Sequence, residues 1–600
     1  MPSNNAIRDN FGQAYSATLP NLGQAMADTL AFFGCARVYG VGGDFAANII
    51  AALEQTLAVL PASNEMHAGF CACGEAEVSG IGFCLTTYTV GSLPCTSAAA
   101  LARTEGLPVV FISGAPAETE TASGMALHHS VCSSARWDLE HDGALRAFAG
   151  LAIRAERLQG ARHPGQPNVA GEHFFELVSH AWRQKQPVFI EIPRDLLSQP
   201  TQTLKLPSSP DALSNRELRL DGAGLIAGHI ADKLRQSKAP LVFVGDRVKL
   251  NPRLRDLIEQ FCQSLGIPYA SNWLAKGVFD ESERLCLGAY NGVFSNAQSR
   301  HYIEQRADYI LELATSILPQ DTATAFATGS FHIGDFANKT VLKGTAEREQ
   351  DLILLLEALL EAPLPRFSVE LEARPTTRMG TESCELGFHN LAEVLNQVQA
   401  DSPRSLIYLP EVGNSFFASF DLQTRANPLG RSWLGNPWYA AMGTALPYAR
   451  AVAEALKAGH HEQALPVVII GDGGFHFQQN ELIHFLKSDL EAVILLMRNE
   501  VFHLGKSSDG PIYHCSDKRF DALKLVEAFG GTGLRCCTTG EFYQVLLEKT
   551  QTPSGLTLIE VPTSTAEEQQ SEPLRLLNLY IRARNGDPAS KLAWDKLSRG

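Results

Sequence analysis

An acid and an amide twenty-seven positions apart carry the first chemical signal in this chain. Asp472 and Asn499 each stand just past an apolar run. Val467–Ile470 is long enough for a buried parallel strand, and Ala492–Met497 supplies a second. Between them, Gly471–Gly474 permits a tight turn and close backbone approach. Asn480–Leu486 then places apolar residues at helical spacing. The pattern is strand, turn, helix, strand, with both polar groups at the carboxyl ends of parallel strands, where open α/β sheets bind ligands. A carboxylate and an amide carbonyl are hard oxygen donors. They suit Mg²⁺, which takes its remaining ligands from phosphates and water. Glycine amides and a helix start offer donors to those phosphates. Gly-Asp-Gly-Gly by itself is an ordinary turn; Asn499 at the end of the second strand changes its meaning.

A second set of polar residues lies in the N-terminal third. Asp44 follows Val38–Gly43, a strand running into a glycine turn, and stands where it would cap a helix over 45–55. Glu65 falls in the first turn of a helix rich in Ala, Cys and Gly, a position that favours a carboxylate on dipole grounds alone. His128 and His129 are adjacent, which by itself describes only a polar loop. Phe83–Val90 and Leu107–Ala115 read as strands, and their alternation with helices indicates a parallel sheet.

Taken in order, Gly43-Asp44-Phe45, Asn64-Glu65, Thr86–Gly91, Val110–Pro116, His128-His129 and the Gly471-Asp472-Gly473…Asn499 motif resemble the thiamine diphosphate-dependent 2-oxo acid decarboxylases, in the pyruvate and indolepyruvate decarboxylase group. The resemblance covers roughly residues 20–562. It implies an α/β fold of three domains, each an open, mostly parallel sheet flanked by helices. These are a pyrimidine-binding domain (1–200), a middle domain (216–361) and a diphosphate-binding domain (386–562), with a C-terminal extension (563–600). Linkers are expected at 197–215 and 362–385, and an insertion at 157–172. The middle domain carries no G-x-G-x-x-G fingerprint and reads as structural.

The resemblance also implies roles. Asp472, Asn499 and the carbonyl of Val501 would hold Mg²⁺. Gly471, Gly473, Gly474 and Phe502 would line the diphosphate of thiamine diphosphate. Glu411 and Asn436 would contact the cofactor, and either Trp438 or Met442 would support its bent shape. Glu65 would hydrogen-bond the aminopyrimidine, while Asp44, His128 and His129 would exchange protons on the reaction side. Glu65 and the Gly471–Asn499 motif would come from different subunits, so a homodimer is the smallest active unit and a homotetramer is common.

One departure bears on the reaction. Decarboxylases of this group carry a Glu six positions after the metal-binding Asn; here that position is Gly505, with His503 nearby. A missing acid favours carboligation: the acyl unit of a 2-oxo acid donor would join an aldehyde, a ketone or a second 2-oxo acid and give an acyloin. The alternatives are simple release of aldehyde, or a non-catalytic relative, which has no need of the whole polar set.

Composition is consistent with these expectations. The 600 residues carry a formal charge of −15, with 45% hydrophobic and 19% charged residues, as in a folded enzyme rather than a nucleic-acid or anionic-membrane binder. Twelve cysteines lack paired metal spacing and read as reduced thiols. The first residues have no basic and apolar signal pattern and no run is long enough to span a bilayer, so a cytoplasmic location is expected.

Overall fold

The computed structural model describes residues 19–133, 138–161, 168–214, 220–314, 349–371, 384–502 and 513–597. Three parallel sheets follow one another along the chain. The first contains β1 (Arg37–Gly40), β2 (Ala58–Pro61), β3 (Gly82–Thr86), β4 (Val109–Ala115), β5 (Arg154–Arg157) and β6 (Val188–Pro193), in the order β2-β1-β3-β4-β6-β5. The second contains β7 (Pro240–Val244), β8 (Tyr269–Asn272), β9 (Cys286–Tyr290) and β10 (Tyr309–Leu313), in the order β9-β8-β7-β10. The third contains β11 (Ser405–Pro410), β12 (Ala464–Gly471), β13 (Ala492–Arg498), β14 (Thr532–Arg535) and β15 (Leu556–Pro562), in the order β11-β12-β13-β15-β14. The expected three-domain α/β architecture is therefore observed. The continuous apolar runs in β4, β12 and β13 are buried on both faces, which is why they do not alternate.

The first and third sheets meet through two helices. Helix Glu65–Ser79 and helix Ala445–Ala458 cross at Gly74, where a Cβ would lie 2.9 Å from the Cα of Tyr448. On its other side an added Cβ at Gly69 would come 2.6 Å from that of Ala98. The small residues noted in the sequence thus let backbone approach backbone, and they bring the start of the Glu65 helix up to the third sheet.

Several local expectations change. Of the expected insertion at 157–172, Arg157 ends β5, a sixth strand of the first sheet, Ala170 begins helix Ala170–Gln184, and residues 162–167 lie outside the described residues. The helix after the first glycine turn spans Ala47–Leu53 and has Ala46 at its cap, without a side-chain bond. Asp44 is therefore not its cap, because the chain makes one further turn before the helix starts and its carboxylate is used elsewhere. The segment Phe326–Phe331, read as part of the middle domain, and positions 503 and 505 lie outside the described residues. The C-terminal extension folds into helices Glu572–Arg584 and Pro588–Leu597. Trp594 is buried against Tyr580 and joins the apolar cluster of Leu241, Phe243 and Tyr290 in the second sheet's domain. Among the described residues, no helix is long and apolar enough to cross a membrane.

Candidate active site

β12 and β13 are adjacent and in register, with Gly471 opposite Met497. Asp472 and Asn499 therefore emerge side by side beyond the same sheet edge. Asp472 is buried and starts helix Asp472–Gln478. Its Oδ2 accepts the Glu500 amide at 2.6 Å and its Oδ1 accepts the Gly473 amide at 3.2 Å. Burial raises the Asp472 carboxyl above the usual carboxylate range, with these two amides opposing the shift. Asn499 Oδ1 accepts the Val501 amide at 3.1 Å. Glu500, between them, is left-handed at φ 64°, and this bend aims its amide back at Asp472. Gly473 lies under Phe502, where a Cβ would come within 2.5 Å of the ring, and a Cβ at Gly474 would come within 2.6 Å of Glu411. Gly471 is the extended residue that ends β12. The donor set at this corner, one carboxylate and one amide oxygen, fits a hard divalent cation.

A turn over 436–445 lies beside it, and three buried side chains fix its amides. Glu411 Oε1 accepts the Gly443 amide at 3.0 Å, and Oε2 accepts those of Ala445 at 3.2 Å and of the Gln478 side chain at 2.5 Å. Asn436 accepts the Ala441 amide at 2.5 Å and donates to Ala441 O and Thr444 Oγ1. Glu105, from the first sheet's domain, accepts the amides of Trp438 at 2.8 Å and Tyr439 at 2.9 Å. Burial raises both the Glu411 and Glu105 carboxyls. Glu411 and Asn436, expected at the cofactor, thus brace the turn that carries Trp438 and Met442. Trp438 is 38% exposed and leans edge-on toward Trp273 of the second sheet's domain. Met442 precedes Gly443, which faces Phe477 and Phe70.

Glu65 is half-buried at the first position of its helix, with Asn64 as the cap accepting the His67 amide at 2.9 Å. His67 is buried, and its Nδ1 lies 3.0 Å from Glu481 Oε1. Glu481 also accepts the Ser63 amide at 2.8 Å and pairs with Arg450 at 3.4 Å. One acid from the diphosphate-binding domain thus pins the turn on which Glu65 stands. Burial works to raise the Glu481 carboxyl, but the hydrogen bond and charge of His67 and the Ser63 amide outweigh it and pull it down to about 2.

Asp44, His128 and His129 come together across 84 residues of sequence. His128 Nε2 lies 2.8 Å from Asp44 Oδ2, and His129 Nε2 lies 4.0 Å from Asp44 Oδ1. The two imidazoles are 4.4 Å apart, and both rings pack on Phe45, at 5.1 and 6.1 Å. His129 is left-handed at φ 68°.

A cavity of 210 Å³ adjoins the 436–445 turn. Trp273, Phe294, Phe416, Phe417 and Phe420 line it, with Leu577 of the C-terminal extension closing one wall. Asn291, Asn436 and Gly413 are the polar elements of its lining.

Models of thiamine pyrophosphate enzyme domains match the chain three times: the N-terminal domain at 20–134, the central domain at 227–337 and the C-terminal domain at 411–561. The chain belongs to the thiamine pyrophosphate enzymes. Similar proteins place it with the 2-oxo acid decarboxylases of that family. An alpha-keto-acid decarboxylase of Mycobacterium tuberculosis is 25% identical, covering 91% of this chain and 95% of its own length. One of Mycobacterium leprae is 26% identical, covering 82% of both chains. An indole-3-pyruvate decarboxylase of Azospirillum brasilense is 24% identical, covering 90% of this chain and 94% of its own. Thiamine diphosphate is the cofactor of this family and Mg²⁺ its usual metal, and the oxygen donors at the Asp472–Asn499 corner fit that pair.

The sequence reading missed Glu105 and Glu481. Glu105 ends helix Thr96–Glu105, where the dipole disfavours a carboxylate, so its position was itself a signal of a tertiary partner. Glu481 carries no such mark.

Proposed function

We propose that this enzyme removes CO₂ from a 2-oxo acid bearing a bulky apolar side chain and joins the remaining acyl unit to a second carbonyl compound, giving an α-hydroxyketone. Thiamine diphosphate, when bound with Mg²⁺, supplies the nucleophilic carbon and the electron sink for decarboxylation. Asp472, Asn499 and the Val501 carbonyl would ligate the metal. Gly471, Gly473 and Gly474 would let the backbone approach the diphosphate, with Phe502 over Gly473. Met442, on a turn locked by Glu411, Asn436 and Glu105, would support the cofactor from below. Glu65 would hold a proton at the aminopyrimidine ring nitrogen. Asp44, His128 and His129 would exchange protons with substrate at the open side of the site. The aromatic lining of the 210 Å³ cavity supports the apolar donor side chain. A homodimer is the proposed active unit, supported by exposed Phe477, Ile483 and Phe502 around the diphosphate corner, at 51%, 45% and 37% exposure.

Gly505 is the observation that carries ligation. Removal of a positioned acid slows proton transfer by about 10²–10⁴-fold. A change of about 1.4 kcal/mol in relative barrier already shifts the partition tenfold. The test is the acyloin-to-aldehyde ratio at saturating donor with an added acceptor aldehyde. Acyloin should dominate in wild type, and Gly505→Glu should move the products toward aldehyde. A second reading, simple decarboxylation, is favoured by the names of the three relatives given above, each a decarboxylase. Aldehyde as the sole product with every acceptor would establish it in place of ligation.

A further inference from the structure

We propose that Asp44, His128 and His129 form a binding site for a borderline transition-metal cation such as Zn²⁺, apart from the Mg²⁺ corner, and that its occupation stops turnover. One ligand atom from each of the three side chains lies within 4.8 Å of the other two. Zinc bonds of about 2.0–2.1 Å at tetrahedral angles set neighbouring ligand atoms about 3.3 Å apart. His128 Nε2 lies 2.8 Å from Asp44 Oδ2 and His129 Nε2 lies 4.0 Å from Oδ1, on either side of that spacing, so rotation of the three side chains is what must bring one oxygen and both nitrogens to it. The side chains have room to do so, being 60%, 49% and 30% exposed for His128, Asp44 and His129. Their rings are nevertheless ordered, because Phe45 packs on both and Asp44 precedes Phe45 in the same turn. The nearest cation over that phenyl ring, Arg194, is paired with Glu120 and leaves the carboxylate of Asp44 available.

Donor chemistry separates this site from the corner at Asp472. Two imidazole nitrogens and one carboxylate suit Zn²⁺, Cu²⁺ or Ni²⁺, whereas Mg²⁺ selects oxygen ligands. Three protein ligands leave a fourth position for water. Binding is a ligand exchange: His128 Nε2 gives up the proton it shares with Asp44, each imidazole binds as the neutral ring protonated on Nδ1, any proton in excess of that passes to solvent, and water leaves the ion. Ligated imidazoles no longer give or take protons, so inhibition of the reaction follows; that consequence rests on the proposed function, whereas the binding does not.

The experiment uses the full-length protein stripped of thiamine diphosphate, in excess Mg²⁺. Zn²⁺ is titrated by calorimetry, and Co²⁺ is followed by its visible absorption. One site per chain is expected. Asp44→Asn, His128→Gln and His129→Gln should each weaken it at least about tenfold, the scale on which even outer-shell changes act. Asp472→Asn should leave it intact. Exposed Cys132, Cys384 and Cys537 offer the rival ligands. Zinc binding that survives all three substitutions, or no binding in wild type, overturns the proposal. Loss of binding in the variants sustains it whether or not the protein decarboxylates any 2-oxo acid. In the active holoenzyme, micromolar Zn²⁺ should inhibit where added Mg²⁺ does not.

Discussion

The Asp472–Asn499 corner and the Asp44–His128–His129 cluster are built in opposite ways. At the corner, Asp472 is buried and both its oxygens accept backbone amides, while Glu411 beside it is saturated by the chain's own donors. At the cluster, Asp44 and His128 are exposed and bond each other, with His129 and Phe45 against them. On the proposed roles, a group that would hold a metal and a diphosphate must not move, which suits a place embedded in a sheet edge and braced. A group that would trade protons with incoming substrate must stay accessible to it, which suits a place on turns. Removing a corner residue should therefore cost binding and stability, and removing a cluster residue should cost rate alone.

The largest effect is expected from Asp472→Ala. The variant should lose thiamine diphosphate binding and all activity while its far-UV circular dichroism stays native; unchanged cofactor affinity, measured by fluorescence titration, breaks the assignment of the corner. Next comes Glu65→Gln, which keeps the shape but not the charge-assisted hydrogen bond. Turnover should fall roughly a hundredfold, the scale of a lost acid–base group, with cofactor affinity near wild type. Hydrogen–deuterium exchange at the thiazolium carbon of the bound cofactor is the direct check, and a normal exchange rate would reduce Glu65 to a helix-terminal carboxylate.

The comparison sharpens in a pair of smaller changes. Glu411→Ala strands the amides of Gly443 and Ala445 and the Gln478 side chain, so unfolding free energy should drop by at least about 1–3 kcal/mol. Asp44→Asn should stay within about 0.5 kcal/mol of wild type, as for other exposed positions. Equal losses in urea titrations of the two variants would dissolve the distinction between braced and open regions. The smallest effect concerns pH. The Glu481 carboxyl is lowered from 4.5 to about 2 in the folded chain. A depressed carboxyl stabilises the fold above its unfolded value, and that contribution is lost as pH falls from about 4.5 toward 2. Glu481→Gln should therefore be less stable than wild type near neutral pH, and the gap should close across that acid window. A gap independent of pH would show that His67 and Arg450 do not interact with Glu481 through its charge.

Much of the corner was legible in the sequence, because its residues are local to one strand-turn-helix-strand unit. Strand direction places Asp472 and Asn499 at one edge, and chain connectivity alone puts Gly471, Gly473 and Gly474 beside Asp472, the last two in the first turn of helix Asp472–Gln478. The fold class followed from the same kind of signal, apolar runs alternating with helical spacing. Asp44 was different. Sequence spacing offered a helix cap, and only the packing of His128 on Phe45 shows what its carboxylate meets.

What the sequence determined, then, was the sheets and which polar residues stand at their edges, since periodicity and turn chemistry act over a few residues. Tertiary structure alone decided how those groups are braced. Glu105 reaches Trp438 and Tyr439 across 333 residues, and Glu481 reaches His67 across 414. The C-terminal extension supplies Leu577 to the cavity wall. Such contacts depend on how whole domains pack, and the approach of helix Glu65–Ser79 to helix Ala445–Ala458 at Gly74 brings them about. A hydrogen bond between residues hundreds of positions apart leaves no periodic trace in either segment, so it becomes visible only once the domains have met.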